Sequence, residues 1–518
     1  MKFTYNIKAL AIASALGLSL SSCNDWLKVD MNDQVLENTL FSNYSGFRAS
    51  LNGIYLSMND LYTSYLGAGG IDVMAQYYNV TENDNHSMRL YSGYKYNDAA
   101  FETINSNIWS NLYTLLANTN VLIEHTDDNA EVLTAEQRGL VRGEALALRA
   151  FFHFDLLRLY GPIYSQNPDE VCIPYQNSSR REIQPLLPAS QVLGLIIDDL
   201  KEAESLLSQY DPIIESGVGD VVLVDDGTSA YDSYYRQIRL NYYAVEAMLA
   251  RAYLWKGDNA EAYRYAKNNI IDKITTDRLE VFPWTKREDV LSETAPDYIF
   301  SSEVMFALYN SRRLNNLYNI YFASTLARSS RLTFIGSSLG ADSKVGTFYD
   351  DPNDYRRKMW EIVEPTEAEK QDAINNNLPL TNSLAFNKYV NNSGDAQSTT
   401  KPTTFRYMIP LIRLSEVYLI AAETTTDQDE AYSFINAVRN HRECANVAKD
   451  SGFDNALTYE FAREVIGEGQ LFYFYKRRAV VNMISGTSAA GTYTMLLNNY
   501  VLPLPQSELD QRVLVGAE

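Results

Sequence analysis

The stretch Thr134–Pro162, TAEQRGLVRGEALALRAFFHFDLLRLYGP, decides the fold class, because it predicts one long helix with both ends marked. Thr134 and Gln137 have the spacing of a capping box, in which each side chain satisfies a backbone N–H of the first turn. Gly161 is expected to take the left-handed conformation that ends a helix, and Pro162 cannot continue the helix.

Apolar residues recur along this helix in two stripes at intervals of three and four. One stripe is Val141, Ala145, Leu148, Phe152, Leu156 and Leu159; the other is Ala147, Ala150, Phe151, Phe154 and Leu157. A helix that is apolar on two sides must be covered on two sides, so it belongs inside a helical array. His153 lies between the stripes, which favours a hydrogen-bonded structural histidine over a catalytic base.

The same kind of periodicity predicts an all-α fold. We expect helices over 40–62, 99–125 and 190–209, helix pairs over 240–270 and 411–441, and a further helix at about 458–478. In the first pair, Leu249, Ala250, Tyr253, Gly257 and Ala262 fall at signature positions of the tetratricopeptide repeat. Glu246 and Asn269 depart from that signature, since Trp and Ala are commoner there.

Composition restricts the class of partner. The 518 residues include 44 basic and 65 acidic side chains, for a formal net charge of −21. Nucleic acids and anionic lipid surfaces are bound through excess Lys and Arg, so neither is an expected partner.

The N-terminus predicts processing and lipidation. Residues 1–22 combine early lysines with a short apolar run, which is typical of a signal peptide. The segment Leu20-Ser21-Ser22-Cys23 then resembles a bacterial lipobox, so Cys23 is the expected lipidated residue and 23–39 a tether. An ordinary signal followed by an incidental Cys is the alternative. The remainder divides into a helical region, 40–280, a loop-rich insertion, 281–405, and a second helical region, 406–518.

Enzyme signatures are mostly absent from the sequence. There is no HExxH motif and no GxGxxG motif that opens a helix, and neither a metal site nor a cofactor is predicted. Asp198 and Asp199 are adjacent on a predicted helix and point about 100° apart, which favours a solvated face. A separated carboxylate pair of the glycosidase type stays open. Cys172 and Cys444 could pair, but two buried free thiols are favoured.

Two irregular segments, 63–98 and 281–330, mix flat aromatic rings with Asn, Asp, Gln and Arg. Rings match the apolar faces of a neutral sugar, and the polar side chains match its hydroxyl groups. These segments are therefore the predicted binding region, while packing into a loop core is the alternative for any single ring.

Motifs along nearly the whole chain resemble the SusD/RagB family of outer-membrane lipoproteins. They are LSSCNDWL (20–27), FRASLNGIY (47–55), NIWSNLYTLLANTNVLI (107–123), RGEALALRAFFHFDLLRLYGPI (142–163), EAMLARAYLWKGDNAEAYRYA (246–266), FNKYV (386–390), PLIRLSEVYLIAAET (410–424), INAVRNHR (435–442), EGQLFYFYKRR (468–478) and LPLPQSEL (502–509). One departure is Gln470, where the family often has Arg.

The resemblance implies tetratricopeptide-like helix pairs with a loop-rich remainder, no catalytic activity, and capture of oligosaccharides or other nutrients for a SusC-like, TonB-dependent transporter. Site residues are implied by position. Asp72, Tyr77, Tyr78, Asn85, Arg89, Tyr94 and Tyr96 fall in the first segment, and Trp284, Tyr309, Tyr318 and Tyr321 in the second. A lipid-anchored helical glycoside hydrolase, a scaffold without ligand, and a binder of peptide or glycoprotein cargo remain alternatives.

Overall fold

The computed structural model describes residues 37–80, 85–128, 131–180, 182–218, 235–376, 382–390, 407–449 and 452–516. Its main helices are α1 (Tyr44–Ser64), α2 (Ala99–Asp128), α3 (Ala135–Tyr160), α4 (Ala189–Tyr210), α5 (Tyr242–Lys256), α6 (Asn259–Tyr263, continued by a π-helix over Arg264–Ile271), α7 (Glu367–Asn376), α8 (Leu414–Thr424), α9 (Gln428–Asn440), α10 (Phe453–Val465), α11 (Leu471–Arg477) and α12 (Gln506–Gly516). Cys23 and the predicted signal peptide lie outside the described residues.

Short elements fill the connections. Single helical turns occur at Ile71–Met74, Arg89–Ser92, Ile213–Ser216, Arg236–Ile238, Arg287–Val290, Ser301–Glu303, Leu314–Tyr318, Asn319–Tyr321, Lys344–Phe348, Tyr355–Met359 and Leu497–Tyr500. The strands are β1 (Val171–Pro174), β2 (Leu186–Pro188), β3 (Val304–Tyr309), β4 (Thr333–Phe334), β5 (Trp360–Val363), β6 (Ser383–Phe386), β7 (Met408–Arg413), β8 (Asn482–Ile484) and β9 (Thr492–Thr494). They form small antiparallel sheets in the orders β1-β2, β3-β7, β4-β6-β5 and β8-β9, so the fold is mostly helical.

The central helix α3 begins as predicted and ends differently. Thr134 and Gln137 form both bonds of the capping box, at 3.2 and 3.1 Å. The left-handed end predicted at Gly161 is wrong, because Gly161 is extended, with φ −75° and ψ 166°. A residue before proline is pushed toward the extended region, and here that effect decides the conformation. Glycine is needed for another reason: a Cβ would lie 2.5 Å from the carbonyl oxygen of Leu157.

Two glycines let α3 approach α4 closely. A Cβ on Gly139 would meet the ring of Tyr210 at 2.1 Å, and one on Gly143 would meet Leu207 at 2.8 Å. Both apolar stripes of α3 are buried, as a helix inside an array requires. His153 is also buried, with Nδ1 2.9 Å from the carbonyl oxygen of Arg149 and Nε2 accepting from the N–H of Gln176. Burial lowers its pKa to about 3, which fits a structural histidine.

The predicted tetratricopeptide pair is α5 and α6. Gly257 makes the turn with φ +82°, and Ala250 and Ala262 are fully buried at the helix contact. The two departures from the signature are partners of one another, because Asn269 donates to Glu246 at 2.7 Å. Their pairing replaces an apolar contact with a partly buried hydrogen bond.

Three further sequence predictions need comment. The single helix predicted at 458–478 is two helices, α10 and α11, separated by Gly467 and Gly469 with φ of +85° and +71°. The solvated face predicted for Asp198 and Asp199 is wrong for Asp199, which is buried and receives two hydrogen bonds from Arg149, at 2.6 and 2.7 Å. Cys172 and Cys444 are free and buried, as predicted.

A buried charge network joins the insertion to the C-terminal helices. It consists of Glu303, Asp354, Arg356, Lys388, Arg413, Arg439, Arg442, Glu460, Arg463, Glu464 and Glu468. Burial opposes ionisation of Glu460, but Arg356, Arg463 and Arg439 outweigh it and lower its pKa to about 2. The insertion is therefore held to α10 by paired charges as well as by apolar packing.

Candidate functional site

The two aromatic-rich segments predicted to bind ligand lie against each other. The backbone N–H of Asn79 donates to the carbonyl of Thr333 at 2.8 Å, and that of Ser87 donates to Ser329 at 2.8 Å. The hydroxyl of Tyr321 donates to the carbonyl of Ser64 at 3.3 Å. We call the described residues of 63–98, together with residues 309–333, the loop face. A single binding region built from both segments requires them to be neighbours, and these contacts meet that requirement.

Several of the predicted ligand residues are core residues of the loop face. Tyr77 and Tyr78 are 1% and 2% exposed, and the hydroxyl of Tyr77 donates to the carbonyl of Ala462 at 2.7 Å. Tyr94 is also buried and donates to the carbonyl of Met74 at 2.6 Å. Since these rings are enclosed by packing, the structure assigns them to support of the surface rather than to contact with a solute.

Asp72 is fully buried and fixes the loop to the break between α10 and α11. Its carboxylate accepts hydrogen bonds from the N–H groups of Gly467 and Gly469, at 2.6 and 2.9 Å. Burial raises the pKa of Asp72 to about 8, although the two N–H donors and Lys388 act in the opposite direction. The first segment packs closely against the residues between α10 and α11. Glycine is needed there because a Cβ on Gly469 would lie 2.3 Å from the carbonyl oxygen of Leu66.

Other predicted residues reach the surface. Asn85 is exposed, and Arg89, Tyr96 and Tyr309 are half-buried. Tyr96 donates its hydroxyl to the carbonyl of Asn499 at 2.5 Å, so its polar end is committed. Asn85, Arg89 and Tyr309 are therefore predicted residues whose side chains remain accessible.

Tyr318 and Tyr321 lie at the boundary between core and surface, with 9% and 6% of their area exposed. The hydroxyl of Tyr318 donates to the side chain of Asn387 at 2.9 Å. Burial raises the pKa of each tyrosine to about 12, so both are neutral hydrogen-bonding groups at ordinary pH. Their rings lie where the two segments meet, because the ring of Tyr321 packs directly against Gly69.

Trp284 is not part of the loop face. Its ring stacks on His441, with centroids 4.4 Å apart and an interplanar angle of 12°, and packs against Tyr418 at 5.0 Å. Tyr418 belongs to α8 and His441 directly follows α9, so Trp284 attaches the insertion to the helical array. Neither of these ring contacts is with Tyr309, Tyr318 or Tyr321.

Sequence reasoning missed two residues that reach the surface, Tyr407 and Ile320. Tyr407 packs against Tyr309 at a centroid distance of 5.4 Å, because β3 and β7 pair and bring residues 309 and 407 together. Ile320, between two tyrosines of the loop face, is 46% exposed. Recognition of the β3–β7 pairing from the strand-like run at 407–412 would have identified Tyr407.

The described residues also bear on cofactors and membranes. Within them, no group of three or more His, Cys, Asp or Glu side chains is arranged to hold a metal ion. No helix in the same part of the chain combines the length and the apolar character that crossing a bilayer requires.

Comparison with known proteins gives two family matches. Residues 26–214 match a family described as SusD-like, starch-binding and associating with the outer membrane, and residues 345–513 match the SusD family. A search of curated proteins found no match.

Solved structures share the fold. A SusD superfamily protein of Bacteroides thetaiotaomicron VPI-5482 is 21% identical, with a TM-score of 0.64, over 90% of this chain and 98% of its own. A SusD-like carbohydrate binding protein of Bacteroides vulgatus ATCC 8482 is 16% identical, with a TM-score of 0.60, over 90% and 96%. A SusD superfamily protein of Bacteroides fragilis is 19% identical, with a TM-score of 0.59, over 91% and 98%.

Proposed function

This chain belongs to the SusD/RagB family, and on that premise we propose that it binds an oligosaccharide at the outer-membrane surface and delivers it to a SusC-like, TonB-dependent transporter. Binding is proposed to occur without catalysis. The lipid on Cys23 would hold the protein at the membrane, and the tether over 23–39 would connect it to the helical body.

The contact between the two aromatic-rich segments is the observation that carries this proposal. It joins the segment that carries the accessible side chains of Asn85 and Arg89 to the segment that carries Tyr309, Tyr318 and Tyr321. Half-buried rings offer flat apolar faces, while Arg and Asn side chains offer hydrogen bonds to hydroxyl groups. The helical array beneath is buried and closely packed, which suits a preformed site.

The binding step is tested by titrating purified protein with a panel of oligosaccharides in a calorimeter. Tyr309→Ala is expected to weaken binding by about tenfold, which corresponds to the loss of one ring contact worth about 1–1.5 kcal/mol. Tyr263→Ala is the matched control, because Tyr263 is a half-buried tyrosine of α6 outside the loop face. Equal affinity of both variants and the parent would reject the loop face as the site.

Two further measurements separate the alternatives. New reducing ends after incubation with a bound glycan would establish a hydrolase, and retention of the intact glycan supports a binding protein. Binding of peptides but of no glycan would replace the proposed cargo.

The lipid anchor is tested by cell fractionation. Cys23→Ala is expected to move the protein from the membrane to the soluble fraction, and continued membrane association would disprove lipidation at Cys23.

A further inference from the structure

The two segments that form the loop face carry an excess of basic side chains. Residues 309–333 contain four arginines and no acidic residue, and in sequence 63–98 and 309–333 together contain six basic and four acidic residues. The whole chain has the opposite balance, with 44 basic and 65 acidic side chains. One of the four acids, Asp72, is buried in the core and does not reach the surface. The segments proposed to bind glycan are therefore net basic within a strongly acidic protein.

Three of these arginines reach the surface without an ion pair. Arg312 is exposed, and Arg89 and Arg328 are half-buried. None of the three forms an ion pair with an acidic side chain in the part of the chain that the structure describes. The guanidinium of Arg89 donates instead to the carbonyl of His86, at 3.4 Å. An arginine stays charged at any ordinary pH, so each of these groups keeps its full positive charge available to a ligand.

Arg89 and Arg328 lie at the contact between the two segments, close to a further arginine. The backbone bond from Ser87 to Ser329 is two positions from Arg89 and one position from Arg328. Arg331 is buried directly behind this contact. Burial lowers the pKa of Arg331 below its usual value, and the charge of Arg328 lowers it further, so these two arginines are near enough to repel each other.

Arg331 is weakly balanced by acids. The ion pair that it forms among the described residues is with Glu369 of α7, at 4.0 Å. The carboxylate of Glu369 also accepts the N–H groups of Arg328 and Thr366, at 2.7 and 2.8 Å. By contrast, the buried Arg149 and Arg236 have carboxylate oxygens at 2.6 and 2.7 Å. Positive charge at the contact between the segments is therefore less compensated than in the helical array.

We propose that the oligosaccharide bound at the loop face is acidic and carries carboxylate or sulfate groups. This inference rests on the proposed function and specifies its ligand. Arg89 and Arg328 donate charge-assisted hydrogen bonds to the acidic groups, for which the planar guanidinium is well suited. Arg331 adds positive potential from behind, and the aromatic rings of the loop face contact the apolar faces of the sugar units. Binding of the anion relieves the repulsion between the arginines.

Calorimetric titration with matched oligosaccharides tests the charge requirement. Oligogalacturonates are compared at pH 7.5 with their methyl esters, and sulfated galactan oligosaccharides with the desulfated products. At least one acidic compound is expected to bind, and its neutral counterpart at least about tenfold more weakly, which is the weight of a hydrogen bond to a charged group. The pair that shows this difference identifies the acidic group as carboxylate or sulfate.

Two neutral glycans, maltohexaose and xylohexaose, separate failure of this inference from failure of the proposed function. Equal binding of acidic and neutral counterparts, or binding of the neutral glycans alone, would overturn the acidic ligand and leave glycan binding intact. An absence of binding by every oligosaccharide would reject both.

Charge-removing variants test the location. Arg89→Gln and Arg328→Gln each remove an unpaired surface charge, so they are expected to keep the parent stability and to bind the acidic glycan about tenfold more weakly. Arg278→Gln is the matched control, because Arg278 is an exposed arginine outside the loop face. Raising the ionic strength from about 0.05 to 0.5 M is expected to weaken binding more in the parent than in the two loop-face variants. Unchanged affinity in both, with normal thermal unfolding, would refute this site.

Discussion

Replacing Arg442 by methionine is expected to destabilise the protein strongly, because Arg442 is the fully buried centre of the charge network. Its guanidinium donates to both carboxylate oxygens of Glu303, at 2.9 and 2.6 Å. It also donates to both oxygens of Glu464, at 2.9 and 3.0 Å. Methionine fills a similar volume without charge, so the variant isolates the electrostatic effect from a cavity effect.

The size of the expected stability loss depends on which partners Glu303 and Glu464 keep when Arg442 is removed. Glu464 keeps Arg356 and Arg413, at 2.7 and 2.9 Å. Glu303 keeps the N–H of Thr285 at 3.0 Å, but its remaining cation, Arg413, is 3.9 Å away. Breaking a buried pair by removing one partner costs about 3–5 kcal/mol, mainly through the charge left behind. We expect Arg442→Met to fall in that range.

Urea unfolding followed by tryptophan fluorescence measures this loss, provided that the slope of the transition is unchanged. Adding Glu303→Gln to Arg442→Met removes the stranded charge and is expected to recover part of the lost stability. Arg264→Met serves as a surface control: its ion pair with Glu261 is 39% and 37% exposed and is worth at most about 1 kcal/mol. A loss below about 1 kcal/mol for Arg442→Met would refute the reasoning.

Two other predictions concern the helical array. Gly143→Ala is expected to lower the free energy of unfolding by about 1–2 kcal/mol, because a clash with buried Leu207 outweighs the helix propensity gained. Gly53→Ala on α1 is the control: a Cβ there meets nothing within 4 Å, so the variant is expected to gain up to about 1 kcal/mol. If urea titrations showed that both changes stabilise the protein, the tight α3–α4 contact would be contradicted. Burial raises the pKa of Glu246 from 4.5 to about 7, so its contribution to stability is present below pH 4.5 and lost as the pH rises through about 7. Unfolding midpoints at pH 5 and 8 should therefore differ less in Glu246→Gln than in the parent, and an equal pH dependence would dismiss this assignment.

Local chemistry made the helices predictable. The capping box at Thr134 and the turn at Gly257 depend on residues a few positions apart, so their spacing alone identifies them. The apolar stripes of α3 likewise predict burial on two sides. Where two local effects compete, the outcome is harder to foresee: at Gly161 the following proline prevails over the tendency of glycine to adopt a left-handed conformation.

The loop face was predictable as a region but not residue by residue. Aromatic content marks both segments, yet the same rings build the core beneath a surface and the surface itself. Tyr77 and Tyr309 cannot be told apart without knowing that the first contacts Ala462 and the second reaches solvent. Trp284 was misplaced for the same reason, because its partner His441 is far away along the chain. Contacts between distant residues decide these cases.

Asp72 and the glycines that bind it are separated by 395 and 397 residues along the chain. At a synthesis rate of about 5–20 residues per second, Gly467 leaves the ribosome roughly 20–80 s after Asp72. During synthesis, the first aromatic segment therefore lacks the two amide partners of Asp72 until nearly all of the remaining polypeptide has been made. A fragment ending before residue 467 would contain every residue of the loop face and still lack the two amide groups that bind Asp72, so this anchor is added only when the C-terminal region has been made.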